Sequence, residues 1–150
     1  MIPKIGLDAK VVEVGWKVVR KDGQWVTEWE VADYAAGHHK GSAYPGQVGN
    51  CVISGHHNVR GEVFRYLVDL EPGDEVILYV GETAYRYTVR DKFIVPEKYA
   101  SKEQQLENKK WIDPTPDERL TMVTCWPYWS NTHRVIVIAK PTAPPRGGVP

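Results

Sequence analysis

Cys125 closes an apolar run, Thr121-Met122-Val123-Thr124, and is followed by Trp126-Pro127. Proline has no N–H to give a regular ladder, so a strand stops there. The thiol then sits at a strand end, where it can face a cleft. Only the thiolate is a good nucleophile, so such a cysteine needs a basic or cationic neighbour. An isolated cysteine is just as commonly a small buried apolar group, and position alone does not separate the two.

A second run, Cys51-Val52-Ile53-Ser54, leads into Gly55, His56 and His57. Histidine is the side chain best suited to proton transfer near neutral pH, although a polar surface turn would read the same way. The pairs His38-His39 and His56-His57 raise the question of a metal. Neighbours on a strand point to opposite faces, so neither pair is a good chelate by itself. No metal and no cofactor are expected, while calcium dependence is left open. Arg134 opens a third run, Val135-Ile136-Val137-Ile138, nine residues after Cys125. That gap suits a loop between adjacent antiparallel strands, which would make Cys125 and Arg134 neighbours. A guanidinium there can hydrogen-bond a developing oxyanion or a substrate backbone, whereas a lone arginine is ordinarily just exposed. Histidine at a strand end, cysteine at a strand end and arginine starting the next strand make up an acyl-transfer set: acid or base, nucleophile and charge stabiliser.

The elements that must position these residues are mostly β. Short runs of Val, Ile, Thr, Tyr and Trp alternate with turn signals. The pattern predicts strands at Lys10–Val14, Trp25–Val31, Val48–Ser54, Glu75–Val80, Ala84–Val95, Leu120–Cys125 and Arg134–Ala139. From Ala84, alternation sends Tyr85, Tyr87 and Val89 one way and Arg86, Thr88 and Arg90 the other. Val80-Gly81-Glu82-Thr83 reads as a hairpin tip, and Pro72-Gly73 as a turn. Phe64, Leu67 and Val68 share a helical face, predicting one short helix within Gly61–Leu70. A second helical turn is expected within Lys102–Lys110, inside the long polar connection Pro96–Glu118. Connections of that length are often functional. The tail Pro141–Pro150, with four prolines and two glycines, is expected to be disordered. The fold class is all-β, a closed barrel or a sandwich.

Bulk composition narrows the function classes. Basic and acidic residues both number 19, so a dedicated nucleic-acid binder is not indicated. Two cysteines in 150 residues do not suggest a disulfide scaffold. There is no run of about 18 apolar residues and no opening signal segment.

The chain resembles the sortase family. The residues that carry the resemblance are Gly55-His56, the stretch Leu120-Thr121-Met122-Val123-Thr124-Cys125, and Arg134 within Thr132-His133-Arg134-Val135-Ile136-Val137. Met122 stands where the family's Thr-Leu-x-Thr-Cys signature usually has Leu, a swap of similar volume. Further likeness lies in Ile2-Pro3-Lys4-Ile5, Val11-Val12-Glu13, Gly41-Ser42-Ala43-Tyr44-Pro45-Gly46, Gly49-Asn50, Phe64-Arg65-Tyr66-Leu67 and Gly73-Asp74. It spans roughly residues 2 to 140. Small size and Cys-x-Pro after the cysteine resemble classes D and E, D more than E.

The resemblance implies a closed β-barrel of about eight strands with one or two short helices, a catalytic domain over 1–140 and a tail over 141–150. It implies a cysteine transpeptidase that cleaves a Leu-Pro-x-Thr-Gly sorting signal between Thr and Gly. Cys125 would form the thioacyl intermediate, His56 would protonate the leaving amine, and Arg134 would hold the oxyanion or the peptide carbonyls. Thr124, Trp126, His57 and Thr132 are the residues expected around the bound peptide. Implied partners are surface proteins or pilins bearing such signals, and an acceptor amine from a peptidoglycan precursor or a pilin. The implied location is the outer face of the bacterial cytoplasmic membrane, with an anchoring segment outside these residues. Cys51 is expected to be a buried apolar residue.

Two other readings fit the same residues. Another cell-wall Cys/His acyltransferase or peptidase would share the chemistry, but Trp126-Pro127 does not match those families. A non-enzymatic β-domain could use its six Trp and eight Tyr as a carbohydrate or peptide platform.

Overall fold

The computed structural model describes residues 1–142. The described residues form nine strands: β1 (Val11–Val14), β2 (Trp16–Lys21), β3 (Gln24–Trp29), β4 (Ala36–His39), β5 (Asn50–Ser54), β6 (Glu75–Val80), β7 (Thr83–Pro96), β8 (Arg119–Trp126) and β9 (His133–Pro141). One α-helix, α1 (Lys102–Lys109), lies between β7 and β8. Seven strands make a single sheet in the order β1-β4-β5-β8-β9-β7-β6, and β2 and β3 form a separate ribbon. β9 runs to Pro141, and Thr142 N donates to Arg86 O at 2.9 Å, so the first two residues of the expected tail belong to the sheet. The expectation for 143–150 lies outside the described residues.

Period-two alternation holds where it was strongest. Along β7, Tyr87 and Val89 are buried and Arg86 and Arg90 exposed. Tyr87 and Val89 join Ile53, Phe64, Leu67, Leu70, Val76, Leu120, Met122, Val135 and Val137 in the main core. The sheet curls around these side chains because each strand sends one face inward. The expected closed barrel of about eight strands is thus a curled seven-stranded sheet. No ladder among the described residues joins its edges β1 and β6. Instead Met1 exchanges both backbone hydrogen bonds with Ile77 of β6, at 2.7 and 2.8 Å, and the chain continues through the Ile2–Leu7 bridge to β1. The first residues therefore span the seam.

Two strands escape the alternation rule. β2 and β3 meet through Asp22-Gly23, both with left-handed backbone (φ 50° and 77°), the two-residue turn whose twist matches a hairpin. β4 is Ala-Gly-His-His, with no β-branched residue. It is a strand because β1 and β5 pair with it on both sides, the kind of context that overrides propensity.

The helix expected within Gly61–Leu70 is instead a series of turns ending in a 3-10 segment, Leu67–Asp69. Leu67 N bonds Phe64 O and Leu70 N bonds Leu67 O. A three-residue period stacks Phe64, Leu67 and Leu70 on one face, and all three are buried. A span this short does not sustain an α-helix alone. α1 does form, capped by Ser101, whose hydroxyl accepts from Gln104 N at 3.1 Å.

Candidate active site

β8 alternates cleanly. Leu120 and Met122 point into the core, so Thr121, Val123 and Cys125 lie on the opposite face. β8 pairs with β9 in a register that sets Cys125 opposite Arg134 and Val123 opposite Ile136. Directly opposed residues of an antiparallel pair share a face, with Cβ atoms about 5 Å apart. Val95 of β7 stands opposite Arg134 and completes this row. The Arg134 guanidinium donates to the His133 carbonyl at 3.2 Å, and among the described residues no carboxylate pairs with it. It is half-buried and free to bind an anion or a carbonyl.

β5 lies on the other side of β8, parallel to it, with Ser54 opposite Val123. The two strands therefore finish at the same end of the sheet, and antiparallel β9 starts there. Gly55 N donates to Val123 O at 3.2 Å, and the Thr124 hydroxyl donates to Gly55 O at 2.8 Å. Glycine is required at 55 because an added Cβ would lie 2.8 Å from the buried Phe64 ring. The residue that emerges next is His56, two residues past the end of β5, on the side of the sheet end where β8 finishes. Its carbonyl accepts from Phe64 N at 2.9 Å, and its Nε2 is 3.3 Å from Asp33 Oδ1.

This face is covered on both flanks and open at the end. Thr121 donates to Asn50 Oδ1 at 2.6 Å, and Asn50 Nδ2 donates to the carbonyls of Trp111 and Asp113. Trp111 stacks on Phe93 at 4.6 Å. The connection between β7 and β8 is thereby laid over the lower part of the face. On the far side, the β2–β3 ribbon sets Trp29 on His39 at 4.2 Å. His39 is buried, and its pKa is pushed down to about 4, first by burial and then by His38.

The loop from Cys125 to Arg134 is held by the loop that follows His56. Asn58 donates to Tyr128 O at 2.6 Å and accepts from Asn131 at 3.2 Å. The Tyr128 hydroxyl donates to Glu62, and the Arg65 guanidinium lies 4.6 Å from the centre of the Tyr128 ring. Asn58, Glu62 and Asp33 were not legible as site residues. Each acts through a contact between segments distant in sequence.

Of the residues expected around a bound peptide, two are placed elsewhere. Thr124 is buried with its hydroxyl committed to Gly55, because alternation turns it inward when Cys125 faces out. His57 is also buried, edge-on to Trp126 and Tyr128, and burial lowers its pKa. Trp126 is half-buried against the core. The Thr132 hydroxyl bonds the His133 ring at 2.7 Å, and its carbonyl accepts from Glu97 and Lys98, tying β9 to the β7–β8 connection. Cys51 is buried and unpaired, and burial, with Glu118 second, pushes its thiol up to about 12. Among the described residues no group of three or more His, Cys, Asp or Glu could hold a metal ion. No helix among them is long and apolar enough to cross a membrane.

Comparison with known proteins agrees with this architecture. The family profile "Sortase domain" matches residues 1–142. Sortase SrtE1 of Streptomyces coelicolor is 28% identical over 148 residues, covering 93% of this chain and 38% of its own length. Sortase D of Bacillus subtilis is 30% identical over 127 residues, covering 85% of this chain and 52% of its own. The chain thus spans about half or less of these relatives. The pilus-related Sortase C of Group B Streptococcus superposes with a TM-score of 0.71 at 25% identity, over 99% of this chain and 68% of that one. Sortase A from Corynebacterium diphtheriae gives 0.63 at 25% identity, over 83% and 58%. A family match that runs from the first residue through the last strand, on a curled sheet of this kind, means that the chain belongs to the sortase family.

Proposed function

We propose that this protein is a cysteine transpeptidase that cuts a Leu-Pro-x-Thr-Gly-type signal between Thr and Gly and passes the acyl group to an amine. The observation that supports it most is the register of β8 and β9, which sets Cys125 opposite Arg134, with His56 emerging beside them from β5. In this reading sulfur, imidazole and guanidinium would surround one peptide bond.

In the first step the Cys125 thiol gives its proton to His56 and the sulfur bonds to the Thr carbonyl carbon. Negative charge moves onto the carbonyl oxygen, where Arg134 donates to it. As the tetrahedral centre collapses, the C–N bond to Gly breaks and the departing nitrogen takes a proton from His56. A thioester is left on Cys125. In the second step an acceptor amine attacks that carbonyl, gives its proton to His56, and the sulfur leaves. Val95 and Val123 would floor the peptide groove, since they share the face of Cys125 and are only partly buried.

Acceptor amines of the kind implied are those of a peptidoglycan precursor or a pilin lysine, and donors are surface proteins or pilins. The working location in this reading is the outer face of the bacterial cytoplasmic membrane. Mass spectrometry of the protein incubated with a panel of sorting-signal peptides tests the reading. An acyl adduct on Cys125, absent from Cys125→Ala, is expected. Transfer that persists in Cys125→Ala, or no adduct across the panel, refutes it.

A further inference from the structure

The segment returning from the β2–β3 ribbon to β4 delivers one side chain to the site. Asp33 lies three residues before β4, and its Oδ1 is 3.3 Å from His56 Nε2. Short cross-links hold the two chain segments at this distance. Tyr34 N donates to Arg60 O at 2.7 Å, which fastens the Asp33 segment to the loop after His56. Gly61 packs so tightly under Tyr34 that an added Cβ would lie 2.8 Å from its ring. On the other side, Phe64 N holds the His56 carbonyl. Among the described residues Asp33 pairs with no lysine or arginine.

The contact is an ion-pair approach; a carboxylate only accepts hydrogen bonds, so where it closes on the ring the facing nitrogen must carry the hydrogen. In neutral imidazole the other nitrogen, Nδ1, is then bare and is the one able to take a proton. We propose that Asp33 is a positioning residue that holds His56 as its Nε2–H tautomer and fixes the ring plane, leaving Nδ1 to exchange the proton with the leaving and incoming amines. The inference rests on the acyl-transfer reading above for the use of Nδ1, though not for the pairing itself. In the acylation step Nδ1 takes the Cys125 thiol proton and passes it to the departing nitrogen; in the resolving step it takes a proton from the acceptor amine and returns it to the leaving sulfur. Nε2–H stays with Asp33 throughout.

On the elements beside His56 the other charged or titratable residues include Cys125 of β8, Arg134 of β9, and His57, Arg60, Glu62 and Arg65 on its own loop, while Glu13 and Glu30 line the cleft next to Asp33. Glu62 is committed to Arg65 and Tyr128, so it is not free for the imidazole. Asp33 is 55% exposed, and an ion pair so exposed contributes little to stability. Its effect belongs to the tautomer and the ring orientation, which sets it apart from a structural contact.

The test uses the full chain carrying Cys125→Ala, with ring nitrogens of His56 followed by 15N NMR above the titration range, alone and with Asp33→Asn, Asp33→Ala or Asp33→Glu. One dominant Nε2–H tautomer is expected with Asp33, a mixture with Asn or Ala, and a return to Nε2–H with Glu. In the active chain, Asp33→Asn and Asp33→Ala should lower kcat about two- to fivefold with KM unchanged, and Glu should restore it. Identical tautomer ratios with Asp and Asn overturn the inference. If the tautomer responds but no sorting peptide is turned over, the acyl-transfer reading falls and the pairing stands. If peptides are turned over and neither tautomer nor kcat responds, this inference alone falls.

Discussion

The Thr124 hydroxyl donates to the Gly55 carbonyl at 2.8 Å, and this side-chain bond adds to the backbone bond from Gly55 N to Val123 O in joining the strand that carries the cysteine to the segment that presents the histidine. Both residues are buried, so the bond is not exchanged with water. The spacing between nucleophile and acid or base is thereby set from beneath, by a side chain that never meets a substrate.

Thr124→Val keeps the shape and removes the donor. It leaves a buried carbonyl short of a partner, at a cost of about 1–3 kcal/mol. Urea denaturation should show that loss, and kcat should fall by about tenfold or more as His56 loosens, since misplacement of about 1 Å can cost that much and more. Thr124→Ser, which keeps the hydroxyl, should recover most of the activity. A Val variant with unchanged stability and turnover would remove Thr124 from the positioning of the site.

Stability should fall on mild acidification, and His39 is the main reason. Its folded pKa of about 4 lies below the ordinary 6.5. Between those values the unfolded chain binds more protons, so the contribution is complete above about pH 6.5 and is lost as pH falls towards 4. The size is on the order of 2–3 kcal/mol. His57, also lowered chiefly by burial, acts in the same direction. Denaturation midpoints from pH 7.5 to 4 should decline less steeply in His39→Gln than in the parent. Parallel curves would show that His39 is not the group responsible.

The two cysteines should differ sharply in reactivity. Cys125 is half-exposed, whereas Cys51 is 1% exposed with a thiol pushed up to about 12. Iodoacetamide at pH 8 should label the native protein once, at Cys125, and twice after denaturation. Native Cys125→Ala should take up no label. Native labelling of Cys51, or a bridge between the two sulfurs, would contradict this assignment.

Much of the site was legible because its signals are local. Gly55-His56, Thr124-Cys125 and Arg134 each lie at the end of an apolar run, and a run's end is set by its own residues and the proline or glycine beside it. Alternation likewise showed which way Tyr87 and Val89 face. The ribbon's Asp22-Gly23 carries the same kind of local signal, but Trp16–Lys21 is not among the predicted strands, and its side chains are largely exposed.

Other features depended on pairing between distant segments. β4 has no strand-forming residues of its own and takes its conformation from β1 and β5. Phe64, Leu67 and Leu70 adopt a three-residue period because the core needs all three on one side of a span too short for an α-helix. Alternation assigns Cys125 and Thr124 to opposite faces, yet only the fold decides which face is open, and Thr124 proved to be the buried one. The approach of Asp33 to His56 spans β4 and β5 and leaves no mark in either local sequence. Residue type and spacing thus determined the chemical groups and the ends of the strands that carry them, since these follow from torsion preferences and side-chain period. That the histidine segment joins the cysteine and arginine was decided by the parallel pairing of β5 with β8, because contacts between segments some 70 residues apart are selected by the packing of the whole core.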